Sequence, residues 1–376
     1  DNGKWQDIPW DNLKGNMNPD WRIYARSASD SKGPNTQFLM ALDVLENLGI
    51  TTDFNLKVVI DTEEELSSPH LPQAVLDNRD ELASDMLLIF DGPPHRSGGP
   101  TLAFGARGIA TLTLKTFGAK VAQHSGHFGN YAPNPAFHLA RIVASMKSAD
   151  GRVTIPGFYD GVDISADVHE ILDAVPNNET EMREQMGFST PDNVADSLEA
   201  SIQYPSLNIR GMSSAWVGDQ VRTIIPPVAT AEIDMRLVKE SDPQYLVGLI
   251  KDHIKDQGYT IIDHEPTDTE RMTDNRYVQL NYDISYPAFR TEFDSLAGKF
   301  AKSALNHLNG EDPILLRTMG GSIPISPFVD TLNIPALSVP TVNPDNNQHS
   351  PNENIRVGNF IDGIATIAAV LAEKID

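Results

Sequence analysis

The sequence predicts an α/β fold in which a discontinuous parent domain is interrupted by a smaller α+β domain. Three observations lead there. Short continuous apolar runs recur toward both ends of the chain, at residues 56–60, 86–90, 314–316 and 336–339, and such runs suit strands buried on both faces of a parallel sheet. Between them the pattern changes: Ala231, Ile233, Met235 and Leu237 alternate with Glu232, Asp234 and Arg236, the period of a half-buried antiparallel strand. The length of 376 residues, 40% of them hydrophobic, is too great for one ordinary core and suits two.

In chain order, residues 35–48 read as a helix after the Gly33-Pro34 breaker, with Phe38, Leu42 and Leu45 as its apolar stripe and Gly49 as its stop. The runs at 56–60 and 86–90 each end in acid, Glu63, Glu64 and Glu65 after the first and Asp91 after the second. In open α/β sheets the ligand crevice lies beyond the carboxyl ends of the strands, where these carboxylates would stand. Residues 109–117 form a strand candidate, followed by a loop rich in Gly, His and Asn and then a helix over 135–146, with Asn134 as cap and Pro135 at its first position. After the alternating strand, Ser241-Asp242-Pro243 opens a helix carrying Leu246, Ile250 and Ile254, and residues 259–262 return as a strand. The middle of the chain therefore reads as a ferredoxin-like insert, two strand-helix-strand units in succession. The last helix carries Phe360, Ile364, Ile367 and Leu371 on one face. The boundaries that follow are residues 1–105 plus 291–376 for the parent domain and 106–290 for the insert.

Composition narrows the chemistry. The 52 acidic side chains outnumber the 29 basic ones, and the formal charge of -23 repels nucleic acid and anionic lipid. With no cysteine, disulfides, thiol catalysis and thiolate metal sites are excluded, so any metal must sit on His, Asp or Glu. No apolar run has the length of a membrane span, and the first 18 residues carry neither a basic nor an apolar leader region. These features predict a soluble protein with a cytoplasmic location favoured over a periplasmic or secreted one, and any targeting segment upstream of residue 1.

Four segments hold residues that metal chemistry uses: Asp30, the run of Glu63, Glu64 and Glu65, Asp91, and His349. Singly, each has a plain structural alternative, since turns and solvated surfaces use these residue types freely. Their order along the chain is more telling. Tyr24-Ala25-Arg26-Ser27-Ala28-Ser29-Asp30-Ser31-Lys32-Gly33-Pro34, Glu63-Glu64-Glu65-Leu66-Ser67-Ser68-Pro69, Arg107-Gly108-Ile109, His124-Ser125-Gly126-His127-Phe128-Gly129, Gly320-Gly321-Ser322-Ile323-Pro324 and His349-Ser350-Pro351-Asn352-Glu353 follow one another. In this order they resemble the metal-dependent aminoacylase and carnosinase-type dipeptidase family, and Gly157-Phe158-Tyr159-Asp160 inclines the likeness to the dipeptidase branch.

The resemblance implies a three-layer zinc-peptidase-like catalytic domain carrying an inserted lid and dimerisation domain. It implies that Asp30 bridges two metals, that Glu65 and His349 complete one and Asp91 serves the other, and that Glu64 is the general base. The three-glutamate run leaves the register open by one residue, so Glu63 is the base if Glu64 is the ligand. It further implies that His124 reaches the active site of a partner subunit and helps hold the oxyanion, hence a homodimer. Arg236, with Gly321 and Ser322 nearby, becomes a clamp for the substrate carboxylate, against the alternative of an ordinary strand-surface ion pair. The expected cofactor is zinc, with manganese or cobalt as alternatives, and the expected substrate a dipeptide or an N-acyl amino acid.

The likeness also has gaps. The family places a His-x-Asp segment upstream of a Trp-x-x-x-Pro stretch that resembles Trp5-Gln6-Asp7-Ile8-Pro9, so the expectation is that the segment supplying one ligand of the second metal is missing here. One tight metal, not two, is then expected for the chain as it stands. Ala25 and Ser27 stand where the family has glycines and Ser31 where it has a second aspartate. The competing function is a catalytically impaired or non-catalytic binding and dimerisation protein of the same fold. A nucleotide-binding enzyme is disfavoured, because no glycine-rich phosphate loop follows a strand.

Overall fold

The computed structural model describes residues 17–375. The Trp5 to Pro9 stretch singled out above lies outside the described residues. The elements that place the site are α1 (Lys32–Leu48), β1 (Leu87–Ile89), β2 (Thr101–Ala103), β3 (Gly108–Phe117) and α2 (Pro135–Met146). They continue with β4 (Ser206–Ser213), β5 (Val228–Leu237), α3 (Pro243–Asp256), β6 (Tyr277–Tyr286) and α4 (Leu296–Asn309). The chain closes with β7 (Ile314–Leu316), α5 (Ser326–Leu332), β8 (Ala336–Ser338) and α6 (Val357–Ala372).

Two sheets organise these elements. The first is four-stranded in the order β7-β2-β8-β1, with β7 parallel to β2 and β8 parallel to β1. Its strands alternate between two helical layers: Leu88, Leu102 and Leu337 pack on Phe300, Ala304 and Leu305 of α4, and Leu87, Ile89 and Ala336 pack near Val329 of α5. Helices on both faces make this a three-layer arrangement and explain why its strands read as continuous apolar runs. The second sheet has the order β6-β3-β5-β4, all antiparallel, with Thr260–Ile262 added at the β6 edge. Numbered by their sequence order within the insert, the four strands run 4-1-3-2 around the helices α2 and α3, the ferredoxin-like topology. Its core is formed by Leu112, Leu114, Ile233 and Met235 against Leu139, Ile142, Leu246 and Ile250.

Local chemistry accounts for the boundaries. Asn134 accepts a hydrogen bond from the Ala136 N–H at the start of α2, and Asp242 accepts one from Tyr245 at the start of α3. Gly49 ends α1 in the left-handed conformation at φ +66. Buried Gln37 of α1 donates to the carbonyls of Thr341, Asn359 and Phe360, and a Cβ on Gly363 of α6 would come within 2.2 Å of its amide nitrogen. A larger residue at 363 would displace the Gln37 amide, whose bonds hold α1 against Thr341 and the start of α6. No described helix is long and apolar enough to cross a membrane.

One expected strand is not a strand. Residues 56–60 are irregular, and Val58, Val59 and Ile60 are 54%, 47% and 65% exposed. The reason is the lack of a neighbour: among the described residues no strand pairs with this segment, and an apolar run becomes a buried strand only where others cover it. Between α2 and β4 the chain also adds three short helices, Ala166–Ala174, Glu179–Met186 and Leu198–Ser201, which the apolar periodicity does not reveal.

One of these helices holds a misplaced charge. Burial, then the nearby Glu179 carboxylate, pushes Glu199 up from 4.5 to about 7. A carboxyl raised in the folded state costs stability progressively as pH climbs from 4.5 to about 7, and the whole cost is present above that. Glu199→Gln is therefore expected to melt higher than the wild type at pH 8, on the order of 2 °C, with the two curves converging near pH 5. Scanning calorimetry at the two pH values checks this, and a gap that widened on acidification would contradict it.

Candidate metal centre

Three segments from distant parts of the chain converge. Asp30 lies in the turn before α1, Glu65 in the 3-10 turn Glu64–Leu66, and His349 in the loop after β8. One ligand atom from each lies within 4.8 Å of the others. His349 Nε2 is 2.8 Å from Asp30 Oδ2 and 3.5 Å from Glu65 Oε2. His349 adopts φ +59, a left-handed conformation that costs a non-glycine residue energy and persists where surrounding structure enforces it.

Asp91 follows the carboxyl end of β1, where an α/β crevice belongs. It stands outside the three-donor group but is joined to it by Ser31, whose single O–H donates to Asp91 Oδ1 at 2.8 Å while its Oγ lies 3.2 Å from Asp30 Oδ1. The serine that departs from the family pattern thus ties two of the expected ligands together. Burial and the carboxylates of Asp30 and Glu65 raise the Asp91 carboxyl, against opposing hydrogen bonds from Ser31 and the Gly92 N–H.

Glu64 is surrounded by acid. Burial raises its carboxyl to about 7, with further contributions from Asp91, Glu65, Asp30 and Asp61. Its neighbour Glu63 is turned elsewhere, its carboxylate 2.7 Å from His70 Nδ1. Two carboxylates and one imidazole at this spacing are a donor set that fits zinc or a similar divalent ion with a coordination position to spare. A cation there would also relieve the repulsion among the five acids.

Sequence reasoning passed over the residue that holds Asp30 in place. Glu353 is 4% exposed and accepts hydrogen bonds from the backbone N–H groups of Ser27 at 3.0 Å, Ser29 at 3.1 Å and Asp30 at 3.1 Å. Burial would raise this carboxyl, yet those bonds, with Arg26 nearby, outweigh it and hold Glu353 below the usual range. Ser27 is left-handed at φ +63, which explains why the family prefers glycine there, and its N–H is one of the three that Glu353 catches. Glu353 was visible in its motif; its task was not, because only the fold brings it across 323 positions to Asp30.

Arg236 of the second sheet meets the Gly321-Ser322 turn, which follows β7. Arg236 of β5 donates from Nη1 to Ser322 Oγ at 2.8 Å, and Gly321 O accepts from the Arg107 N–H at 3.1 Å. Space beside Gly320 and Gly321 is open. The ion-pair alternative for Arg236 is weak, since Asp234 Oδ2 lies 3.9 Å from its Nε. A cleft of about 690 Å³ is lined by Gln348, whose Nε2 donates to Asp30 Oδ2 at 3.4 Å, and runs between residues 96–98 and the helix Glu179–Met186. His124 is the exception among the expected site residues. Its imidazole has local partners, the Gly126 N–H at 3.1 Å from its Nδ1 and the His127 ring with centroids 4.6 Å apart, while its backbone pairs with Ile224.

The chain is similar to known metallopeptidases over most of its length. The profile of peptidase family M20/M25/M40 matches residues 2–373. The Cys-Gly metallodipeptidase of Schizosaccharomyces pombe is 25% identical over 358 residues, 94% of this chain and 73% of that protein. The human Beta-Ala-His dipeptidase is 25% identical over 364 residues, 94% of this chain and 69% of that one. Among solved structures, an M20 family metallo-carboxypeptidase from Sulfolobus solfataricus superposes with a TM-score of 0.80 at 25% identity, covering 95% of this chain and 78% of that chain.

Proposed function

Because the chain belongs to peptidase family M20/M25/M40, we propose that it is a metal-dependent dipeptidase with Asp30, Glu65 and His349 as metal ligands and Glu64 as general base. The observation that carries this reading is the meeting of those three donors within 4.8 Å, with a high-pKa carboxyl on the adjacent residue. A divalent ion bound by them lowers the pKa of a coordinated water toward neutrality and polarises the substrate carbonyl. Glu64 takes the proton from the attacking water and later delivers it to the leaving amine. Asp91 belongs to a second metal position, which shares Asp30. Arg236, with Ser322 and the Gly321 turn, receives the carboxylate at the end of the substrate, which a planar guanidinium suits.

His124 acts in the site of a second copy, as an oxyanion donor, and this makes the working form a homodimer built through residues 106–290. Residues 1–105 and 291–376 form the catalytic unit in this reading. A sedimentation result giving only monomer at assay concentration would take His124 out of the site.

The test is hydrolysis of a panel containing Cys-Gly, β-Ala-His and an N-acetyl amino acid by zinc-loaded, manganese-loaded and chelator-stripped protein. Dipeptide turnover that chelation removes and metal restores is the expected result. Turnover of the N-acetyl amino acid alone would move the substrate class to deacylation, and no turnover with metal bound would remove the hydrolase reading.

A further inference from the structure

Ile109 of β3 is flanked in register by Arg236 of β5 on one side and by Tyr286 of β6 on the other. Side chains in one row across a sheet share a face, so Tyr286 and Arg236 look the same way. The register of β6 shifts between Ile284 and Tyr286, and such a bulge re-aims the residue that follows it. Gly108 lets the backbone come this close, since a Cβ there would lie 2.6 Å from the Tyr286 carbonyl oxygen.

Two opposite charges act on the half-buried phenol. Burial raises its pKa most, the Glu64 carboxylate raises it further, and the Arg236 guanidinium works against both. Tyr286 therefore shares a sheet face with the group that takes the chain end and feels the carboxylate beside the metal ligands, and its hydroxyl keeps its proton at neutral pH. Arg236 gives one Nη1 N–H to Ser322 and keeps its other N–H groups for a carboxylate, whose two oxygens have lone pairs left for a second donor beside it.

We propose that Tyr286 is a substrate-binding residue whose phenol O–H donates a hydrogen bond to the C-terminal carboxylate of the dipeptide beside Arg236. The inference rests on the dipeptidase reading and deepens it.

The experiment compares zinc-loaded wild type and Tyr286→Phe, whose loss of one oxygen is checked for intact folding by a thermal melt. The substrates are the panel dipeptide turned over fastest and its C-terminal amide, and binding of the product amino acid and its amide is followed by NMR titration. For the carboxylate forms, KM and the product Kd should rise roughly tenfold or more while kcat stays within about twofold. The two proteins should not differ on the amides. Equal losses on acid and amide, a fall in kcat at unchanged KM, or no change at all would each overturn the assignment. Because product binding is read without turnover, a wild type that binds the amino acid through Tyr286 but hydrolyses nothing would sink the dipeptidase reading alone.

Discussion

Glu64→Gln is expected to lower dipeptide turnover by roughly a hundredfold to ten-thousandfold, the range that a positioned general base supplies, while the bound metal stays at the wild-type level. Glutamine keeps the shape of the side chain and loses its basicity, so the effect isolates proton transfer. It should fall on kcat and kcat/KM together, because the proton moves only on the way to the transition state. Elemental analysis beside steady-state kinetics decides the matter. A variant that loses metal in step with activity would make Glu64 a ligand and return the role of base to Glu63, even though Glu63 faces His70.

His349→Ala should act in the opposite order, on metal first. The imidazole is the one nitrogen among the three donors, and it bridges toward both carboxylates at 2.8 and 3.5 Å. Without it, two carboxylates with no imidazole should hold zinc more than about a hundredfold less tightly, and the zinc-induced rise in melting temperature should vanish. Calorimetric titration with zinc alone measures the first and a thermal melt the second. Wild-type affinity in this variant would mean that the ion sits elsewhere, for instance nearer Asp91.

The sequence revealed those parts of the molecule whose signals are local. Asn134 before Pro135 marked a helix start because capping is settled within four residues, and the alternation through Met235 and Leu237 marked a strand because a half-buried sheet face imposes a period of two. Apolar runs were less safe guides. Those at 86–90 and 336–339 became paired strands, and the one at 56–60 did not, because the run says only that burial would be favourable and the partners decide whether it happens. At the site, Asp30, Glu65 and His349 were named from motifs and do meet. Ser31, Glu353 and Tyr286 were not assigned, since their significance lies in contacts to residues far along the chain: Asp91, the Asp30 loop and the neighbourhood of Glu64.

The Asp30 turn has a history as well as a geometry. Its backbone is held by Glu353 and its carboxylate faces His349, partners 323 and 319 positions away. A ribosome delivers the chain from its amino end, so Asp30 is made early and its supports are made last. Throughout the interval the turn lacks the Glu353 bonds and keeps, beyond its own backbone, the Ser31 contact to Asp91. Closing so long a loop is entropically slow and becomes worthwhile only when many contacts form together, here the Glu353 bonds, the Gln37 contacts and the three metal donors. The centre therefore forms late in the folding of each molecule, and an ion that binds it ties Asp30 and Glu65 to His349.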